Sequence, residues 1–291
     1  MRKLILFLLM MLIGGVCFSE EASLFPRSMG GIISYDNKFF MFGGYSIYYP
    51  EHYFTRDQKT IGTYPQTQFN DIWVSSDGAQ WECWRKTIPW NLKAAKIITS
   101  YKGRIMVFIH EKNGKTATNN GAVWSTTDME NWEKDLIQLP FDTAIDIAYS
   151  KTRLVVLDLK NNFYQSNDGL NWKKINIKIP YGDFENIFLL HNKLHYISST
   201  MTPYGDTINC CWVLDKNNQW KILNKDIKYE FHDYASLVYK DKIWLFGGIW
   251  KSRNKSSRIT CSSDGIHWKN IEPQTPHWTA RSDHQAIEHQ G

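Results

Sequence analysis

Cysteine is scarce in this chain, and long apolar segments are absent beyond its first 24 residues. Only five cysteines occur among 291 residues, too few for the dense disulfide framework of a small secreted domain. We expect Cys83, Cys210, Cys211 and Cys261 to be buried free thiols. Every apolar run after the first is interrupted by charge within about ten residues, which is too short for a membrane-spanning helix.

Helical periodicity and an excess of one charge are lacking as well. No stretch of about eleven residues or more combines the apolar period of a helix with helix caps, so little helix is predicted. The 34 basic and 29 acidic residues leave a net charge of +5 that is dispersed along the chain. A nucleic-acid partner is therefore not expected. The aromatic content of 15% instead favours many short strands.

The N-terminus has the pattern of a secretory signal. Arg2 and Lys3 precede an apolar run at 4–16, which is followed by small and polar residues. This pattern predicts a signal peptide at 1–19 and export of the remaining chain to the periplasm, the cell surface or the medium. A lipid anchor at Cys17 is the less favoured alternative, because Val16 stands where lipoprotein signals prefer a small residue.

One short phrase recurs along the chain. Its copies are WVSSDGAQW (73–81), WSTTDMENW (124–132), YQSNDGLNW (164–172) and TCSSDGIHW (260–268), with a fainter copy, WVLDKNNQW, at 212–220. The tryptophans that close these copies recur with a period of roughly 45 to 50 residues. A period of this length indicates a propeller or a solenoid.

Each phrase has the pattern of a β-hairpin. Asp-Gly favours the positive φ angles of a tight turn, and a hydroxyl residue two positions earlier can bond the turn amides. We therefore interpret the repeated aspartates as structural residues; they are Asp77, Asp128, Asp168 and Asp264. In the 212–220 copy Leu214, Lys216 and Asn217 replace Ser, Asp and Gly, so its turn must be built differently.

Two further candidate strands precede each phrase. These pairs lie at 31–44, 96–109, 144–158, 186–198 and 235–248, and each consists of two apolar segments joined by a polar turn. With the hairpin phrase, each repeat supplies four strands, which is one propeller blade. The predicted fold is an all-β propeller over 20–291, with complete blades at about 24–90, 91–141, 142–182, 183–230 and 231–278.

Two of these repeats resemble the kelch repeat of galactose-oxidase-like propellers. Gly43-Gly44 and Gly247-Gly248 each close an apolar second strand, and Arg27-Ser28 and Arg281-Ser282 stand where kelch repeats often begin. The three middle repeats lack the double glycine. The hairpin phrase is also similar to the Asp-box of sialidase-type propellers, although it is one residue shorter. The resemblance implies four-stranded blades around a central axis.

The end of the chain does not complete this arrangement. Residues 279–291 match only the first strand of a sixth blade, and a six-bladed ring would lack two strands. We therefore interpret the chain as truncated or as a fragment of a longer reading frame. The alternative is a ring of five blades in which residues 279–291 pack as an extra innermost strand. An open blade edge exposes unpaired backbone groups and favours association.

The candidate ligand-binding face carries the loops between second and third strands and between blades. The blade-one loop at 45–69 is rich in tyrosine, and aromatic rings beside charged groups suit sugars or peptides. The candidate residues are Arg27, Tyr48, Tyr53, Tyr64, Tyr204, His232, Asp233, Trp250 and Arg281. Alternatively, the tyrosines form a satellite core, and the two arginines bond carbonyl groups between blades.

Two functions of different kinds stay open. The favoured one is an exported, non-catalytic module that binds protein or glycan at the cell envelope, because no acid, base and nucleophile set is identifiable. The alternative is a sugar-active enzyme, for which the kelch resemblance and export imply a sialic-acid mutarotase. A glycosidase would need two carboxylates about 5 to 10 Å apart. Its candidate carboxylates are Glu51, Asp57, Asp206 and Asp233.

No metal or cofactor is predicted. The C-terminal residues His284 and His289 would point to opposite sides of a strand and could not chelate one metal together. The kelch resemblance also raises the hypothesis of a copper centre like that of galactose oxidase, which would need a Tyr–Cys cofactor. No cysteine is predicted at the mouth of the channel here. We expect a protein or glycan partner and leave the oligomeric state open.

Overall fold

The computed structural model forms five four-stranded antiparallel sheets. It describes residues 30–47, 66–90, 95–111, 120–135, 139–141, 144–180, 183–201, 207–228, 232–250, 254–272, 279–281 and 284–289. Each sheet is one blade, and a sixth, two-stranded sheet belongs to blade five. No helix occurs in these ranges, and so none there could span a bilayer as a helix.

The strands follow the chain order within every blade. Blade one contains β1 (Gly31–Tyr35), β2 (Lys38–Ile47), β3 (Gln66–Ser75) and β4 (Glu82–Arg85). Blade two contains β5 (Ala95–Tyr101), β6 (Arg104–Glu111), β7 (Asn120–Thr126) and β8 (Glu133–Asp135). Blade three contains β9 (Ala144–Tyr149), β10 (Leu154–Asp158), β11 (Phe163–Ser166) and β12 (Lys173–Ile175).

The last two blades follow the same order. Blade four contains β13 (Asp183–Leu190), β14 (Lys193–Met201), β15 (Thr207–Leu214) and β16 (Trp220–Asn224). Blade five contains β17 (Ala235–Tyr239), β18 (Lys242–Phe246), β21 (Ile259–Ser262) and β22 (Lys269–Ile271), and a small hairpin of β19 (Ile249–Trp250) and β20 (Asn254–Lys255). The predicted strand pairs and hairpin phrases thus coincide with the observed strands.

The first strand of each blade is the innermost one. Consecutive first strands contact each other from β1 to β5, β9, β13 and β17, whereas the fourth strands lie at the opposite edges of their sheets. The sheets therefore radiate from a common axis. The predicted all-β propeller with five complete blades is confirmed.

Tight turns join the first two strands of most blades. Asp36-Asn37, His191-Asn192 and Lys240-Asp241 have positive φ angles at both central residues. Such turns match the right-handed twist of the strands that they connect. Asparagine, aspartate and glycine tolerate this backbone conformation best, which explains the polar turn residues of each repeat.

The hydrophobic core is divided among the seams, which are the interfaces between neighbouring blades. Ile33 of blade one and Val107 of blade two lie in one cluster with the partly buried Trp132. The closing tryptophan packs against the preceding blade in the next three seams too; these residues are Trp172, Trp220 and Trp268. In the seam of blades one and two, Trp90 and Trp132 meet edge to face with their centroids 4.6 Å apart. The repeated tryptophan therefore joins one blade to the next.

The seam between blade five and blade one is filled by the C-terminal residues. We call the described residues 279–281 and 284–289 the closing segment. Ala286 packs against the blade-five cluster, and Ile287 packs against the cluster of blades one and two. The closing segment thus lies between the two blades that are farthest apart in sequence.

The predicted first strand of a sixth blade is not confirmed. The closing segment contains no strand; only Arg281 forms an isolated antiparallel bridge, with Ser256 of blade five. The segment is held by side-chain packing and a few hydrogen bonds instead of a strand ladder, so the extra innermost strand of the alternative interpretation is not observed either.

All four cysteines after the N-terminal region are free thiols. Cys211 and Cys261 are buried, whereas Cys83 and Cys210 are partly exposed. Burial raises the pKa of Cys211 to about 12, which keeps that thiol protonated. The two buried cysteines therefore act as small apolar side chains, whereas the Cys210 thiol donates to the Lys225 carbonyl over 3.0 Å.

Candidate ligand-binding site

A double glycine follows the second strand of blade five and precedes a small hairpin. Gly247 and Gly248 follow β18 with φ angles of 66° and 98°, a conformation that side chains with a Cβ atom rarely adopt. Gly43 and Gly44 of blade one have the related values of 50° and 98°. In blade five the chain then forms the β19–β20 hairpin at the end of the blade where the second and third strands are connected.

His232 and Asp233 lie beside this hairpin. The His232 amide donates to the Ile249 carbonyl over 3.1 Å, and the Ile249 amide donates back over 2.8 Å. His232 Nδ1 lies 2.9 Å from Asp233 Oδ2. Both side chains are exposed, at 43% and 49%. This pair is therefore fixed by the backbone while its polar atoms stay accessible to a ligand.

Arg281 of the closing segment joins the same network. Its carbonyl accepts from the Gly248 amide over 2.8 Å, and its amide donates to the Ser256 carbonyl over 3.0 Å. Its Nε donates to the Thr279 carbonyl over 2.9 Å. Partial burial lowers the pKa of Arg281, because the charged form loses hydration. The closing segment and the hairpin therefore support each other through main-chain bonds.

The structure brings together part of the predicted site. His232, Asp233, Arg281 and the backbone of Trp250 meet at this end of blade five. Arg27, Tyr48, Tyr53, Tyr64 and Tyr204 lie outside the described residues, as do Glu51, Asp57 and Asp206. The bonds of Arg281 to Gly248 and Ser256 are formed by its backbone, whereas its Nε bonds Thr279 within the closing segment.

Asp146 is a titratable group that the sequence reasoning missed. It lies on the innermost strand β9, where its Oδ1 accepts from the Ile147 amide over 2.8 Å and its Oδ2 accepts from the Ile187 amide of blade four over 2.9 Å. Burial raises the pKa of Asp146 to about 7, although these bonds and one from Asn186 favour the charged form. The side chain keeps only partial exposure, on the strand nearest the axis.

Comparison with known proteins identifies the family. The sequence model of the family described as "DUF6242 beta propeller domain" matches residues 117–287, more than half of the chain. The chain belongs to this family. Among solved structures, a protein described as "Structure of YjhT" is similar with a TM-score of 0.56 and 11% identity, covering 85% of this chain and 84% of that one. That likeness shows the fold alone. No curated protein matches the sequence.

The repeated aspartates of this DUF6242 propeller are structural, as predicted. In blade three, Asp168 Oδ1 accepts from the Leu170 and Asn171 amides over 2.9 and 2.8 Å, and the Ser166 hydroxyl donates to it over 2.9 Å. These bonds outweigh the desolvation that opposes them and hold the pKa of Asp168 far below its usual range. Carboxylates engaged in this way are unsuited to proton transfer.

The DUF6242 propeller brings no three potential metal ligands together within its described residues. His289 instead packs into the core of the blade-five to blade-one seam, where burial lowers its pKa. Asp146 did carry a sequence signal, because it is a lone carboxylate within the apolar segment AIDIAY. Its partner Ile187 lies on another blade, so the contact itself had no local signature.

Proposed function

We propose that this DUF6242 propeller is an exported, non-catalytic binding module for protein or glycan at the cell envelope, with kelch-like repeats. The observation that carries the proposal is the exposed His232–Asp233 pair on a backbone network that includes Arg281. A rigid scaffold that presents polar groups on a loop face is a common way for propellers to bind ligands.

Export is supported by the N-terminal pattern of Arg2, Lys3 and the following apolar run. Fractionation of cells that express the full chain, followed by N-terminal sequencing, tests it. We expect a mature N-terminus near residue 20 in the exported fraction. Retention of Met1 in the cytoplasm contradicts export without affecting the binding proposal.

A binding experiment tests the proposed function. The full chain is applied to an array of glycans and extracellular matrix proteins, and each hit is measured again with Asp233→Asn. Asp233 has a φ of 53°, which asparagine also tolerates, so the substitution removes charge and preserves the turn. We expect binding to weaken by about tenfold, because a charged hydrogen-bond partner is lost.

Asp241→Asn is the matched control. Asp241 is also exposed, has a φ of 55°, and lies in the turn at the other end of blade five. It should leave binding unchanged. A folded wild-type chain that binds nothing on the array, or a hit weakened equally by both variants, contradicts the placement of the site.

The second candidate is a sugar-active enzyme, and Asp146 is the observation in its favour. A carboxyl with a pKa of about 7 can exchange a proton at neutral pH, as a general acid or base must. The test is anomer interconversion and glycoside hydrolysis by the wild type and by Asp146→Asn. Turnover that disappears in the variant, with binding retained, supports the enzyme; absence of turnover in the wild type supports the binding module.

A further inference from the structure

The seam between blades three and four contains a groove with a volume of about 430 Å³. This volume lies within the range of small-molecule sites. Its lining includes the basic residues Arg153, Lys173 and Lys174 of blade three, and Leu194 and Leu214 of blade four supply apolar surface. None of the described residues that line the groove is acidic.

Strand register places two of these cations on one face of blade three. Lys173 pairs directly with Gln165 across the ladder, so both side chains point to the same side of the sheet. Arg153 Nη1 donates to Gln165 Oε1 over 3.2 Å, and its Nη2 donates to the Asn192 carbonyl of blade four over 2.9 Å. The guanidinium is therefore held across the seam.

In the part of the chain that the structure describes, the two lysines have no compensating charge. Within the described part of the chain, neither Lys173 nor Lys174 forms an ion pair, and both are exposed. Asp215, which follows the lining residue Leu214, accepts from the Asn217 and Gln219 amides and pairs with Lys221 over 3.4 Å. Lys174 pairs with Tyr164 and lies on the opposite face of blade three, so Arg153 and Lys173 are the two cations that face blade four. Two cations on one face produce a positive potential that attracts anions.

The blade-four turn beside the groove departs from the repeat. In blades two, three and five the left-handed turn residue is buried against the preceding blade; these residues are Met129, Gly169 and Gly265. A Cβ atom on Gly265, for example, would lie 2.7 Å from Leu223 of blade four. In blade four Asn217 occupies this position of the repeat, but the left-handed residue is Asn218, with a φ of 59°, and both residues are exposed. Its turn therefore leaves the seam open next to blade three.

The closing tryptophan of blade four differs as well. Trp172 and Trp268 donate their indole N–H to the glycine carbonyl of their own turn, over 2.8 and 3.0 Å. Trp220 instead donates to the Lys178 carbonyl of blade three over 2.7 Å. The Trp220 bond thus holds blade four against blade three, whereas the blade-four turn does not pack on blade three.

We propose that this basic groove binds a compact organic anion that carries a carboxylate, sulfate or phosphate group. The cations bind the acidic group, the amide side chains of Gln165, Asn176 and Asn218 offer hydrogen bonds, and the leucines cover apolar surface. The groove lies at the end of the blades that carries the Asn192 and Asn217 turns, opposite the blade-five hairpin. It is therefore a site separate from that of the proposed function.

Calorimetric titration of the full chain tests the proposal with three probes. Digalacturonate presents carboxylates, and inorganic sulfate and inorganic phosphate present the other two groups; cellobiose is the uncharged control. We expect at least one anion to bind, with an affinity that falls as ionic strength rises, and no binding of cellobiose. The anion that binds identifies the acidic group.

Two variants locate the binding. Lys173→Gln with Lys174→Gln should weaken it by about tenfold or more. Lys269→Gln is the matched control, because Lys269 occupies the position of Lys173 in blade five, paired with Cys261 as Lys173 is with Gln165. Both lysine variants alter exposed residues and should retain the fold.

The second variant closes the groove without removing a lining cation. Leu214→Ser, Lys216→Asp and Asn217→Gly together restore the repeated turn in blade four, and binding should be lost while the circular dichroism spectrum is retained. Binding of no anion by the wild type overturns the proposal. Equal binding by the paired lysine variant and the Lys269 control overturns it too, and this comparison stands even if the turn variant does not fold.

Discussion

His289 lies on Phe39 with ring centroids 4.0 Å apart, and its Nδ1 is 2.8 Å from Ser34 Oγ. Ser34 and Phe39 are paired across β1 and β2, on the opposite face of blade one from Ile33, which faces blade two. The face of blade one that points away from blade two is thus covered by the C-terminal part of the chain.

The first prediction concerns His289→Ala. The substitution removes a buried ring and its bond to Ser34, so the free energy of unfolding should fall by about 1–3 kcal/mol. Hydrogen exchange of the amides at 284–289 should accelerate more than that of blade three. Thermal unfolding and exchange mass spectrometry measure both effects. The control, His191→Asn, alters an exposed turn histidine with positive φ and should change neither.

The second prediction concerns the pH dependence caused by Asp146. Its pKa is about 7 in the fold and near 3.8 when unfolded, so the folded protein binds the extra proton between these values. The contribution of Asp146 to stability therefore decreases as pH rises from about 4 to 7. Relative to the wild type, the stability of Asp146→Asn should rise over that window by up to about 4 kcal/mol, since each pKa unit corresponds to about 1.4 kcal/mol.

Urea unfolding of both proteins at several pH values measures this difference. Burial also lowers the pKa values of His195 and His289, so the protein loses stability as pH falls below about 6.5. Both proteins share this effect, and it therefore cancels in the comparison. A difference between the two proteins that is constant with pH would show that Asp146 is ionised throughout.

The third prediction compares two glycines. Gly169 and Gly103 have similar φ angles of 80° and 75°, but a Cβ atom on Gly169 would overlap Met106, whereas nothing lies within 4 Å of one on Gly103. Gly103→Ala should therefore cost about 1 kcal/mol from backbone strain alone. Gly169→Ala should cost about 1–3 kcal/mol more, because Met106 must move. Equal melting temperatures of the two variants would contradict the close packing of this turn on blade two.

The fourth prediction concerns the turn carboxylate Asp168. Asp168→Ala removes the acceptor of two backbone amides and should lower stability by about 1–2 kcal/mol. Because the pKa of Asp168 is lowered in the fold, its contribution is present above about pH 4 and is lost as pH falls below that value. Asn167→Ala, at the adjacent exposed position, is the control. Chemical denaturation at neutral pH and near pH 3 measures both variants.

The sequence by itself determined the local structure. The phrase around Ser166 and Asp168 predicts a hairpin because every bond that it forms joins residues within a few positions of each other. The alternation of apolar residues determines the strands, and the period of the tryptophans determines the repetition of blades. These features depend on neighbours along the chain, so the repeat was sufficient to predict a propeller.

Only the tertiary structure decided how the blades meet. The contact of Asp146 with the Ile187 amide, the place of His289 on Phe39 and the groove beside Arg153 all join residues about 40 to 250 positions apart. Leu214, Lys216 and Asn217 depart from the repeated phrase, and this predicted a different turn in blade four. It did not predict an open seam. Side-chain environment across a seam depends on which face of a neighbouring blade lies opposite, and no local pattern of one blade encodes it.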